Sequence, residues 1–77
     1  MPRAYVLLNV ETGFEDNVLK RLKSTGVVEE GYVSYGVYDL ILIVKADTME
    51  KLKDVVIQKI RTTNQVRSTL TLIILEE

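Results

Sequence analysis

The stretch Leu40-Ile41-Leu42-Ile43-Val44 is uninterrupted in apolar residues, and Leu70-Thr71-Leu72-Ile73-Ile74-Leu75 nearly repeats it. Successive side chains of a β-strand point to opposite faces of the sheet, so a strand with one face in water alternates apolar and polar residues. These two stretches do not alternate. The sequence therefore predicts strands that belong to a sheet covered on both of its faces.

The first third of the chain predicts a strand followed by an amphipathic helix. Residues 4–10 are rich in large apolar and β-branched side chains, which is typical of a strand. Thr12 and Glu15 have the spacing of a capping box, with Thr12 as the N-cap. Gly26 would end the helix in the left-handed C′ position. The apolar face of this helix consists of Phe14, Val18, Leu19 and Leu22.

The rest of the chain predicts a hairpin, a second helix and a last strand. A weaker strand over residues 27–35 would join the strand at 38–45 through a type II′ turn, with Gly36 as its first central residue. Asp47 would be the N-cap of the second helix. The polar residues 62–65 predict a loop, and a fourth strand runs from Val66 to Leu75. The apolar face of the second helix consists of Met49, Leu52, Val55, Val56 and Ile60.

This order of elements, βαββαβ, predicts the ferredoxin-like α+β fold as a single domain over residues 1–77. Right-handed crossovers place both helices on one face of a four-stranded antiparallel sheet, giving a two-layer sandwich. The second face then needs other cover, and we expect a dimer that forms through the sheet. Burial of one large aliphatic side chain contributes roughly 1.5–3 kcal/mol. The alternative is that a small sheet leaves some aliphatic side chains in water.

Composition argues against several classes of protein. The chain has 77 residues with no histidine and no cysteine, so the commonest general base and the usual zinc ligands are missing. We expect no catalytic residue, no metal and no cofactor. Ten basic and eleven acidic residues give a net charge of −1, which does not favour direct binding of nucleic acid. Apolar runs too short for a membrane span and the absence of an export signal indicate a cytoplasmic protein.

Three polar residues interrupt the apolar strands. Asp39 opens the third strand just after the Gly36 turn, and Thr69 and Thr71 alternate along the fourth. One interpretation is structural: Asp39 accepts backbone hydrogen bonds near the turn, and the threonines are ordinary strand residues. The other is a small polar site with a carboxylate for an ammonium group and hydroxyls for a carboxylate, which are the two groups of an amino acid.

Two motifs resemble the effector domain of the Lrp/AsnC family of transcription regulators, called the RAM domain. The first is Gly36-Val37-Tyr38-Asp39-Leu40, with a glycine, a variable residue, an aromatic and an aspartate at the start of the third strand. The second begins at Val66 and continues with Thr69, Thr71 and aliphatic residues. Because the first strand begins near residue 3, the chain resembles a stand-alone RAM domain without the family's helix-turn-helix domain.

The resemblance implies dimers that pack through their sheets and assemble into rings, commonly octamers, with small effectors, usually amino acids, between the dimers. We therefore expect an amino-acid-binding and oligomerisation module associated with transcription regulation. One alternative is an adaptor that co-assembles with full-length Lrp/AsnC regulators without binding a ligand. A small ferredoxin-like enzyme is the least favoured alternative. The ligand site implied by the resemblance consists of Gly36, Val37, Tyr38, Asp39, Thr69, Leu70 and Thr71.

Overall fold

The computed structural model describes residues 2–74 and contains a four-stranded antiparallel sheet with helices on one face. Its strands lie in the order β2-β3-β1-β4. The predicted ferredoxin-like α+β fold is confirmed, while Leu75 lies outside the described residues. The elements are β1 (Arg3–Val10), α1 (Glu15–Lys23), β2 (Val28–Val33), β3 (Leu40–Lys45), α2 (Met49–Val55) with a π-helical turn after it (Val56–Ile60), and β4 (Val66–Ile74).

The hydrophobic core lies between the two helices and one face of the sheet. Alternate residues of β1 and β3 point into it, as the period of two along a strand requires. The apolar faces predicted for both helices are confirmed, because their central residues are buried in the same cluster. Neither helix of residues 2–74 has the length and apolar character that crossing a membrane requires. The core consists of Ala4, Val6, Leu8, Val10, Val18, Leu22, Leu40, Leu42, Val44, Leu52, Val56 and Ile60.

The other face of the sheet, which we call the open face, is also apolar. The strand register places the second set of alternate side chains there, and no helix of residues 2–74 packs over it. Tyr5 is 42% exposed and Leu72 is 47% exposed. The prediction that β3 is apolar on both faces is confirmed, whereas the helical side of β4 carries Thr69 and Thr71 beside Ile73. The open face consists of Tyr5, Leu7, Tyr32, Ile41, Ile43, Leu70, Leu72 and Ile74.

Both predicted N-caps are wrong. The N-cap of α1 is Phe14, two residues after Thr12, because a turn closed by the Phe14 N–H and the Glu11 carbonyl (3.0 Å) precedes the helix. The N-cap of α2 is Thr48, whose hydroxyl accepts a hydrogen bond from the Lys51 N–H at 3.1 Å. Its extended backbone suits a cap, and Asp47 lies one residue outside.

Two glycine positions also differ from the prediction. Gly26 has a φ of 79°, in the left-handed region, but it lies one residue beyond C′ because Ser24 is the C-cap of α1. Gly36 has a φ of 137°, which favours glycine, yet it does not form a two-residue hairpin. Residues 34–39 separate β2 from β3, and the Ser34 N–H donates to the Asp39 carbonyl at 2.7 Å. The type II′ hairpin prediction is therefore wrong: the loop has six residues.

Candidate functional site

A cavity of about 360 Å³ lies between α2 with its π-helical turn and the edge strand β4, and we call it the α2–β4 cavity. The register of β4 on β1 pairs Thr69 with Leu8 and Thr71 with Val6, both of which point toward the helices. The two threonines therefore also point to the helical side, at the outer edge of the sheet. The cavity is lined by Leu52, Lys53, Val56, Ile57, Arg61, Thr69, Thr71 and Ile73.

The lining combines an apolar wall with two cations at the rim. Leu52 and Val56 are buried, and Ile73 is partly exposed on β4. Lys53 and Arg61 are exposed, and neither forms an ion pair within residues 2–74. None of the described lining residues carries a carboxylate. The cavity can therefore accept an aliphatic group that carries a negative charge at one end.

The π-helical turn forms the part of the cavity that sequence reasoning missed. The Arg61 N–H donates to the Val56 carbonyl at 3.0 Å, five residues earlier, so the turn holds one more residue than an α-helical turn. Arg61 ends this turn and Ile57 lies within it, and both line the cavity. The sequence predicted a regular helix through Ile60. In the sequence, the one sign of this part of the cavity is Arg61, a basic residue that directly follows Ile60 at the end of the predicted apolar face.

Asp39 has a structural role beside the last residues of β1. Its Oδ2 atom accepts a hydrogen bond from the Val10 N–H at 2.9 Å, and its own N–H donates to the Leu8 carbonyl at 2.8 Å. The register of β1 on β4 shifts between Asn9 and Val10, at this same point. The structural interpretation of Asp39 as a backbone acceptor is confirmed, but its partner is a distant strand residue instead of the turn. The Oδ1 atom accepts no hydrogen bond within residues 2–74.

The Asp39 side chain lines a second cavity, of about 260 Å³, that we call the acidic cavity. Two further carboxylates, those of Glu15 and Asp16 at the start of α1, line the same cavity. Strand β1 separates β3, which begins after Asp39, from β4, which carries the threonines. Within one subunit Asp39 and the two threonines therefore lie in two cavities of opposite charge.

The other predicted site residues lie apart from both cavities. Gly36 and Val37 are in the exposed β2–β3 loop, where Val37 is 81% exposed, and Tyr38 is half-buried. Leu70 pairs with Leu7 and points to the open face, opposite to its neighbours Thr69 and Thr71. One subunit thus brings Thr69 and Thr71 together and does not gather the remaining residues around them. Within residues 2–74, no group of three or more acidic residues could hold a metal ion.

The fold and the α2–β4 cavity define the class of the protein: a small ferredoxin-like α+β domain with a ligand-sized cavity beside an edge strand. Residues 3–77 match the family model described as the Lrp/AsnC ligand binding domain, and the chain belongs to that family. The resemblance found in the two sequence motifs is thereby confirmed.

Individual relatives agree with this assignment. Regulatory protein AsnC of Escherichia coli K12 is 35% identical over 60 residues, which cover 78% of this chain and 40% of that protein, so the chain spans well under half the length of this curated relative. The crystal structure of hypothetical protein PHS023 from Pyrococcus horikoshii has a TM-score of 0.94 and 36% identity, covering 100% of this chain and 93% of that one. The feast or famine regulatory protein Rv3291c from M. tuberculosis, complexed with L-methionine, has a TM-score of 0.79 and 28% identity, covering 100% of this chain and 52% of that one.

Proposed function

We propose that this chain binds an amino acid and couples its binding to assembly of the protein, as an effector module of Lrp/AsnC-type transcription regulation. The observation that carries the proposal is the position of Thr69 and Thr71 in a ligand-sized cavity. The chain belongs to a ligand-binding family, and its relative Rv3291c is complexed with L-methionine. Coupling requires that the ligand bind one assembly state more tightly than the other.

The open face supports the first step of assembly, a dimer that packs sheet against sheet. A C2 contact places the same surface on both partners, so an apolar face can cover its own copy. Tyr5, Leu70 and Leu72 leave 41–47% of their surface exposed in one subunit. Contiguous exposed apolar surface of this kind marks an interaction site.

The two cavities support the second step, a ring of dimers with the ligand between them. The acidic cavity contains Asp39, and the α2–β4 cavity has a cationic rim with Arg61. Contact between the acidic cavity of one subunit and the α2–β4 cavity of another joins unlike surfaces, and repeated contacts of that type can close into a ring. Asp39 then receives the ammonium group of the amino acid, while the threonine side receives its carboxylate.

An Asp39→Asn variant tests the role of Asp39 without removing its structural hydrogen bond. Asparagine retains a carbonyl oxygen for the Val10 N–H, whereas Asp39→Ala would also lose that bond. A hydrogen bond to a charged group contributes about 1.5–3 kcal/mol, so we expect the dissociation constant of the bound amino acid to rise roughly 10- to 100-fold. Asp54→Asn, which makes the same change on an exposed position of α2, is the matched control.

The measurement has two stages. A thermal-shift screen of the twenty amino acids identifies the ligand, because a compound that binds only the folded state raises Tm. Isothermal titration calorimetry then compares the wild type with the two variants, and ultracentrifugation checks that each remains assembled. Equal affinity of the wild type and Asp39→Asn would show that Asp39 does not bind the ligand.

A further inference from the structure

We infer that the ligand is an α-amino acid with an aliphatic side chain, and that Arg61 binds its carboxylate. The inference rests on the proposed function, because it identifies the class of ligand that the α2–β4 cavity accepts. It adds a specific anion-binding residue at a position outside both sequence motifs. Three observations carry it: the composition of the wall, the position of Arg61 and the size of the cavity.

The wall of the cavity selects an aliphatic group. The side chains of Leu52, Val56, Ile57 and Ile73 come from both α2 with its π-helical turn and β4, so apolar surface flanks the cavity on two sides. A charged or amide side chain placed against these four residues would lose hydration without gaining a hydrogen-bond partner from them. An aliphatic side chain would instead remove both its own surface and the exposed part of the two isoleucines from water.

Arg61 supplies the group that recognises a carboxylate. Its guanidinium has no ion pair within residues 2–74, although acidic residues outnumber basic ones in the whole chain. A guanidinium offers two parallel N–H donors that match the two oxygens of a carboxylate, which the ammonium of Lys53 cannot do. The i→i+5 hydrogen bond from Arg61 to Val56 fixes the backbone from which this side chain extends. Thr69 and Thr71 add hydroxyl donors on the opposite wall.

The size of the cavity agrees with a single small molecule. Its volume of about 360 Å³ lies near the lower end of the roughly 300–1,000 Å³ that small-molecule sites occupy. This volume is sufficient for one aliphatic amino acid.

The experiment is a cycle of two proteins and two ligands, measured by calorimetry on the assembled wild-type chain and on Arg61→Gln. The first ligand is the one among leucine, isoleucine, valine and methionine that binds most tightly. The second is the amide of the same amino acid, in which a neutral carboxamide replaces the carboxylate. We expect Arg61→Gln to weaken binding of the amino acid by roughly 10- to 100-fold. We expect the wild type to prefer the acid over the amide, and Arg61→Gln to bind the two almost equally. A merely structural role of Arg61 would weaken both ligands alike.

Two controls accompany the cycle. Lys59→Gln removes one positive charge from the same π-helical turn without touching the cavity, and we expect it to change affinity less than twofold. Arg61→Lys keeps the charge and loses the paired donors, so we expect an intermediate affinity.

The outcomes separate the inference from the function on which it rests. Binding of aspartate, lysine or serine in preference to the aliphatic amino acids would overturn the inference and leave the proposed function intact. Unchanged affinity in Arg61→Gln, or an unchanged preference for the acid over the amide, would overturn the role of Arg61. Failure of all twenty amino acids to bind would overturn the proposed function itself.

Discussion

Replacement of Leu72 by lysine tests whether the open face forms the dimer. Leu72 lies on the edge strand β4, where it pairs with Tyr5 on the open face, and it is 47% exposed. Complete burial of a leucine contributes roughly 1.5–3 kcal/mol, so covering the exposed half contributes about 0.7–1.4 kcal/mol per subunit. In a symmetric dimer the residue occurs twice, which gives roughly 1.4–2.8 kcal/mol or a 10- to 100-fold change in the dissociation constant.

Leu72→Lys should raise the dissociation constant of the dimer by more than this range. The ammonium group of each copy would face apolar surface of the partner, and burial of an unpaired charge costs several kcal/mol. The aliphatic stem of lysine can still cover the neighbouring strand residues, so the fold of the monomer should survive. We therefore expect Leu72→Lys to weaken the dimer more than ~100-fold with little change in Tm of the monomer.

Sedimentation velocity over the micromolar range measures the effect. The matched control is Ile57→Lys, because Ile57 is also 47% exposed but lies in the helical layer, on the opposite side of the molecule from Leu72. We expect this control to form the sheet-to-sheet dimer like the wild type, because Ile57 lies outside the open face; its place in the α2–β4 cavity concerns only the separate contact between dimers. A wild type that stays monomeric at high concentration would refute the reasoning, as would a Leu72→Lys variant that dimerises as tightly as the control.

Two further substitutions test the packing and the electrostatics of β2. Gly31→Ala should lower the free energy of unfolding by about 1–3 kcal/mol, because the added Cβ would lie 2.6 Å from Leu19 Cδ1 and 3.0 Å from Leu42 Cδ2. Thermal unfolding measures the change, and an unchanged Tm would contradict the prediction. A hydrogen bond to the Glu30 carboxylate (3.1 Å) and its negative charge raise the pKa of the Tyr32 phenol, so Glu30→Gln should move that pKa back toward its ordinary value of 10.0. The raised pKa stabilises the fold below pH 10 and this effect is lost as the pH rises through the folded-state pKa. Ultraviolet absorbance of the phenolate against pH follows the shift, and identical titrations of the variant and the wild type would exclude this role of Glu30.

The elements of the fold could be predicted because burial is periodic in the sequence. The apolar residues of β3 recur without interruption, and those of both helices recur every three to four positions, so their type and their buried faces follow from the residues alone. The ends of the elements could not be predicted in this way. They depend on hydrogen bonds such as that between Asp39 and Val10, whose partners are 29 residues apart.

Strand β2 shows how a tertiary contact overrides a local signal. In the sequence, Glu29, Glu30 and Gly31 interrupt the apolar pattern and weaken the prediction of a strand. In the structure, Gly31 is buried because α1 approaches the strand there and leaves no room for a side chain. A register shift between Val28 and Glu30 turns the Glu29 carboxylate toward two cations, Arg3 Nη2 at 3.6 Å and Lys45 Nζ at 3.7 Å. These partners lie on β1 and β3, so the sequence around Glu29 contains no sign of them.

The candidate site could be predicted only in part, because its motif residues do not form one site within one subunit. The spacing of Thr69 and Thr71 correctly places both on one face of β4, since they are two residues apart. Asp39 lies on the far side of β1 from them, in the acidic cavity. In the proposed assembly, the acidic cavity of one copy would meet the α2–β4 cavity of another copy. If both motifs contact one amino acid in that assembly, the affinity for the ligand must depend on the contact between subunits, and binding must strengthen that contact by the same free energy.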